Sequence, residues 1–128
     1  MDPRLERWHH YTQERNPDLL DDLLAQDCVF ISPVVHTPQE GQAISKLYLT
    51  GAMQVFNDSF CYTKEIVTPD HIVLEFECEM DGIMINGIDM MTFNEEDKIT
   101  EFKVMVRPLK AVNMLHGRMK AMLEKLAS

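Results

Sequence analysis

Apolar positions recur every three or four residues early in the chain and every second residue across its later half. Leu5, Trp8 and Tyr11, with Thr12, set a helical period from Pro3 to about Arg15. Asp2 is suited to cap that helix and Pro3 to open it. Asn16-Pro17-Asp18 breaks and restarts the chain, and Leu19, Leu20, Leu23 and Leu24 form a second, short helix. Cys28 to Ser32 reads as a strand. A third helix is expected from Gln42 to Phe56, with Ile44, Leu47, Tyr48, Gly51 and Val55 as its apolar stripe.

The period then changes to two. Ser59 to Thr68 is strand-like and ends in the turn Thr68-Pro69-Asp70. Ile72, Leu74, Phe76, Cys78 and Met80 alternate with positions that include Glu75, Glu77 and Glu79, the pattern of a half-exposed antiparallel strand. Asp81-Gly82 is a hairpin turn. Ile83 to Phe93 is the next strand, Asn94 to Lys98 a turn, and Ile99 to Val106 the last strand. Pro108 starts a final helix carrying Leu109, Val112, Leu115, Met119, Leu123 and Leu126. No repeat or linker interrupts residues 1–128, so one α+β domain is expected, with helices covering one face of a curved antiparallel sheet.

Charge narrows the partners. A formal net charge of −9 argues against nonspecific binding to nucleic acid or an anionic membrane, which needs clustered Lys and Arg. No apolar run approaches the roughly 20 residues of a membrane span. Cys28, Cys61 and Cys78 are odd in number and far apart, forming neither a disulfide framework nor a metal knuckle. With no apolar leader at MDPRLERWHH, the cytoplasm is the expected compartment.

Chemistry is sparse. In Ile85 to Phe93, alternation puts Asp89 on a face with Ile85, Gly87, Met91 and Phe93. One reading is an outward carboxylate on a solvated sheet. The other is a carboxyl in an apolar cavity, with its pKa raised by desolvation. Parity leaves both open, since Ile88 and Met90 make the opposite face apolar too. Tyr11 is a core tyrosine or a site hydroxyl, Ser32 a loop cap or a site hydroxyl, and His36 an exposed loop histidine or a group folded over a cavity mouth. His9 and Glu6 lie three apart without a third ligand, so no metal is expected. The chain carries no Gly-rich phosphate loop and no Gly-x-Ser-x-Gly elbow, so no cofactor is expected.

Three stretches carry a resemblance. They are Trp8-His-His-Tyr11 with Asn16-Pro17-Asp18, Phe30-Ile-Ser-Pro33 with Glu40-Gly41, and Gly87-Ile-Asp89-Met-Met-Thr-Phe93-Asn94. Lys98-Ile99 and Val104-Met-Val-Arg-Pro108 also fit. The chain resembles the nuclear-transport-factor-two-like superfamily over nearly its whole length, in the SnoaL-like and ketosteroid-isomerase-like branch. The resemblance implies a cone-shaped, cystatin-like fold whose curved sheet wraps the N-terminal helices. It also implies a cavity for a small, mostly apolar carbonyl- or phenol-bearing molecule. Ketosteroid isomerases use an Asp base and an oxyanion hole of a Tyr and a protonated Asp. The Tyr falls on Tyr11, the protonated Asp on Asp89, and the base on Ser32, which cannot abstract a carbon-bound proton unaided. Trp8, Phe76, Phe102 and Val106 are expected to line the pocket. The superfamily's epoxide hydrolases use an Asp-Arg-Asp arrangement, but Arg107 has the parity of Glu101 and Lys103 and points away. An isomerase- or cyclase-like enzyme and a non-catalytic binding or dimerisation module both fit. Ile88, Met90 and Met105 on the outer face point to a homodimer through the sheet.

Overall fold

The computed structural model describes residues 1–127. Helix α1 spans Pro3–Glu14. The Asp2 carboxylate accepts the Arg4 N–H at 2.8 Å, a side-chain cap for one of the free first-turn donors. The helix ends where Arg15 turns left-handed (φ 54°) and its N–H reaches the Tyr11 carbonyl. Leu5, Trp8 and Tyr11 are buried as the period requires, and so is Arg4, which it does not suggest. The Arg4 guanidinium is matched on every side. It bonds the Asp2 carboxylate and the carbonyls of Thr68 and Pro69, and lies 4.6 Å from the Phe93 ring centroid. These contacts tie α1 to the base of the sheet.

A 3-10 turn at Pro17–Leu19 and helix α2, Leu20–Leu23, lead into strand β1, Leu24–Ile31. Leu24 therefore opens a strand rather than ending a helix, and Ser32 lies just beyond the strand. A two-residue strand β2, Gln39–Glu40, has no sequence counterpart above. Helix α3 covers Gln42–Val55. Then come β3 (Cys61–Val67), β4 (His71–Met80), β5 (Ile83–Phe93), β6 (Ile99–Arg107) and α4 (Leu109–Ala127).

The six strands form one sheet in the order β2-β1-β6-β5-β4-β3. It is antiparallel except for β1 against β6, which run parallel. That pair joins distant parts of the chain, so no local pattern announces it. The β4–β5 hairpin turns at Asp81 (φ 51°) and Gly82 (φ 78°), the left-handed pair that suits the strands' twist. A bulge where Thr92 pairs with Glu101 but Phe93 with Ile99 shifts the parity of β6. Ile99 and Phe102 are consequently both buried.

The helices departed from their expected stripes. In α3 the buried residues are Ser45, Leu49 and Gly51, not the whole Ile44–Leu47–Tyr48–Val55 face. This helix is covered on two sides. The Ser45 hydroxyl donates to the Cys28 carbonyl of β1 at 3.1 Å, while Gly51 faces Met119 of α4. In α4, Ala111 and Leu115 are buried but Leu109 is 73% exposed, so the face turned to the core starts at Ala111 and leaves Leu109 out.

Gly87 sets the inner surface of β5. A Cβ there would lie 2.5 Å from both the Phe76 ring and the Met105 carbonyl oxygen. Only a glycine lets the Phe76 ring lie flat across the strand. Gly87→Ala should destabilise the fold by about 1–3 kcal/mol, the cost of overpacking, seen as a lower urea midpoint. A gain in stability, the ordinary result of relieving a strand glycine, would show that the close approach is absent.

Candidate functional site

Between the inner face of the sheet and helices α1, α3 and α4 lies a cavity of about 240 Å³. Trp8 and Tyr11 enter it from α1, one helical turn apart. Phe76 of β4, Asp89 of β5, and Phe102 and Val106 of β6 form its floor. Ser32 lies at its edge, in the segment that follows β1. Seven of the eight residues singled out from the sequence thus meet at one cavity. His36 does not: it is exposed in the loop between β1 and β2 and lies outside the lining.

Parity, open in the sequence, is resolved. Asp89 is 7% exposed and faces inward, paired in the sheet with Leu74 and Val104. Its partner is one the sequence did not single out. The Tyr62 hydroxyl of β3 donates to Asp89 Oδ2 at 2.8 Å, and Trp8 Nε1 donates to the Tyr62 oxygen at 3.0 Å. One chain of hydrogen bonds therefore runs Trp8, Tyr62, Asp89 across three elements. Tyr62 had a faint signal: with Phe60, just before β3, it forms an aromatic i, i+2 pair ahead of the polar run Thr63-Lys64-Glu65.

No Lys, Arg or His is bonded to Asp89 among the described residues. Burial pushes its carboxyl from 3.8 up to about 7, and the Tyr62 hydrogen bond offsets only part of that rise. Burial also raises the Tyr62 and Tyr11 hydroxyls, so both remain protonated donors. Tyr11 does not reach Asp89. Its hydroxyl donates to the Leu49 carbonyl at 3.4 Å, a long bond that a ligand oxygen could replace.

The Ser32 hydroxyl is already engaged. Ser32 Oγ accepts the N–H groups of Val34 and Val35, at 3.1 and 3.3 Å, and so shapes the rim turn. Arg107 points away, its guanidinium toward Asn86 Oδ1 on the outer side. Two further groups at the mouth, His116 and Lys120 of α4, follow the Leu115–Met119 stripe by one residue and went unnoticed in it. Among the described residues no cluster of side chains could hold a metal ion.

The model of the SnoaL-like domain matches residues 5–102. The chain belongs to the SnoaL-like family. Solved structures agree on the fold. A steroid delta-isomerase from Pseudomonas aeruginosa is 32% identical, with a TM-score of 0.90 over 98% of this chain and 93% of that one. A cystatin-like protein from Silicibacter pomeroyi is 30% identical, with a TM-score of 0.87 over 94% and 85%. An NTF2-like protein of unknown function from Mesorhizobium loti shares the fold at 19% identity, with a TM-score of 0.71 over 82% and 88%. No curated protein matches. In this SnoaL-like chain the cone fold and the inward Asp89 go together.

The raised carboxyl gives a signed pH dependence. Below pH 3.8 Asp89 is protonated in both folded and unfolded chains. Between there and about 7 the folded state holds more protons, so stability falls as pH rises. Asp89→Asn retains an oxygen for the Tyr62 hydroxyl and removes the titration. Relative to the wild type it should gain on the order of 3–4 kcal/mol between pH 4 and pH 8, read from urea melts at each pH. Tyr62→Phe should cost about 1–3 kcal/mol, because it unpairs Asp89 Oδ2 and Trp8 Nε1 together. A flat pH difference for Asp89→Asn would mean that the carboxyl is unshifted, and a relative loss for the variant as pH rises would mean that it is ionised and paired.

Proposed function

We propose that the cavity binds a small, mostly apolar molecule through a carbonyl or phenol oxygen, and that the protein is an isomerase- or cyclase-like enzyme. The observation that carries this reading is Asp89: a carboxyl on an apolar floor, with one tyrosine partner and no cation. In its neutral form it donates to the ligand oxygen, and that bond strengthens as the oxygen gains negative charge. Tyr11 supplies a second hydroxyl on the same cavity wall. A carboxyl near 7 populates both forms at neutral pH, so its ionised fraction can accept a carbon-bound proton. The similarity to a steroid delta-isomerase supports proton-shift chemistry. A cavity of about 240 Å³ lies below the roughly 300–1,000 Å³ of drug-sized sites, which favours a ligand of one or two rings.

One observation favours a second reading. The resemblance puts the base at Ser32, and the Ser32 oxygen is committed to the rim turn. A binding module without catalysis would keep the cavity and lack that base. The outer sheet face, with Met84 and Met105 each about half exposed, is the surface through which we infer a homodimer. The three free cysteines suit a reducing cytoplasm.

Deuterium exchange separates the two readings. With 2-tetralone in heavy water, the protein should accelerate exchange at the carbons beside the carbonyl, and Asp89→Asn should lose at least about 100-fold of that rate. Binding without exchange would select the module; neither binding nor exchange would end both. For assembly, light scattering should report a dimer that Met105→Glu splits, and a monomeric wild type would rule the dimer out.

A further inference from the structure

The cavity mouth is bounded on one side by the turn after β1 and on the other by α4. Leu115, Met119 and Leu123 give the mouth an apolar wall, and His116 and Lys120 stand beside it, one helical turn apart. Both are exposed. Neither forms a hydrogen bond or salt bridge with a described residue. Among the described residues, five of the chain's twelve Lys and Arg side chains form salt bridges with carboxylates: Arg4 with Asp2, Arg15 with Asp58, Lys46 with Asp21, Lys64 with Glu75 and Arg118 with Asp81. Glu124, one turn past Lys120, makes no salt bridge to it and lies outside the lining. Among the described residues Asp89, on the floor, is the one acidic side chain that lines the cavity. The cavity is thus polarised, with a carboxyl at the floor, apolar walls between, and unpaired nitrogen groups at the mouth.

We propose that the ligand carries a carboxylate at the end remote from Asp89, held at the mouth by Lys120 with His116 as a second donor. This rests on the ligand-binding reading above and narrows it to oxygen-bearing apolar acids. A carboxylate at an open mouth remains partly hydrated, so it avoids the desolvation cost that it would meet on the floor. Reversed, the anion would face the Asp89 carboxyl, so charge also fixes which end enters first. A single flexible ammonium beside an imidazole suits a monoanion, whereas bidentate phosphate recognition calls for an arginine fork. The net charge of −9 repels anions at long range. Beyond a Debye length of about 8–10 Å that field is screened, and the mouth decides.

Calorimetry with matched probes tests this: 2-naphthol, 6-hydroxy-2-naphthoate, its methyl ester, and the corresponding phosphate monoester. The wild type should bind the acid about fivefold tighter than the ester at low salt, an advantage that shrinks as salt is added. Lys120→Met, which keeps an apolar stem, should abolish the advantage, and His116→Gln should reduce it. Both variants should bind 2-naphthol as the wild type does, which also reports that they are folded. Equal affinity for acid and ester in the wild type, or an advantage that survives Lys120→Met, overturns the proposal. Preference for the phosphate over the acid overturns the assignment to a carboxylate. The underlying reading fails separately: if 2-naphthol does not bind, or binds Asp89→Asn equally well, the floor is not the ligand's oxygen site.

Discussion

A carboxyl buried on the floor of an apolar cavity is the constraint around which the other elements are arranged. Ionised and alone it would be too costly to hold, so something must either neutralise it or bond to it. The fold takes both courses. Burial raises the carboxyl until its neutral form is abundant, and Tyr62 supplies one hydrogen bond. Tyr62 is in turn bonded by Trp8, whose indole also packs on Tyr11 and Phe102. Helix α1 therefore sits where its Trp8 can reach β3, and Arg4, one turn earlier, secures the same helix against the β3–β4 turn and Phe93. A helix joined to the sheet at these two points cannot slide without breaking a buried polar contact.

Much of the sheet was legible because burial on one face forces period-two alternation, and an exposed second face permits the glutamates between. Ile72 to Met80 and Ile83 to Phe93 show it most clearly. Asp89 could be placed on a face by counting, but which face was the inside depended on what covered it, and that is tertiary information. The parallel β1–β6 pair was invisible for the same reason. Helix α3 misled because its stripe is divided between the sheet and α4, so no single face carries the apolar residues. Tyr62 lies in a strand whose other positions are mostly exposed. The cationic pair on α4 was hidden differently: His116 and Lys120 obey the amphipathic pattern as solvent-side residues, and only the adjacent cavity gives them another role.

The same glycine that simplifies β5 shapes the cavity. Without a side chain at Gly87, the Phe76 ring covers the strand and stacks on Phe60 with centroids 5.0 Å apart, while Phe56 meets it edge-on. These rings occupy the sheet end of the cone. They shorten the cavity and keep its dielectric low beside Asp89, so packing and electrostatics are set by one residue choice.

The poise of Asp89 depends on how few donors reach it. A carboxylate that accepts two or three hydrogen bonds falls below its ordinary range, because each bond favours the charged form. Among the described residues Tyr62 is the one side chain bonded to Asp89, and it engages Oδ2. A single neutral donor offsets part of the desolvation, and the balance settles near neutrality. The second oxygen is therefore the variable. A ligand hydroxyl that donates to it would pull the carboxyl down toward its ionised form. A carbonyl or phenolate oxygen, which only accepts, would instead hold the proton on Asp89. The direction of proton movement in the cavity follows from what the ligand presents to that one atom.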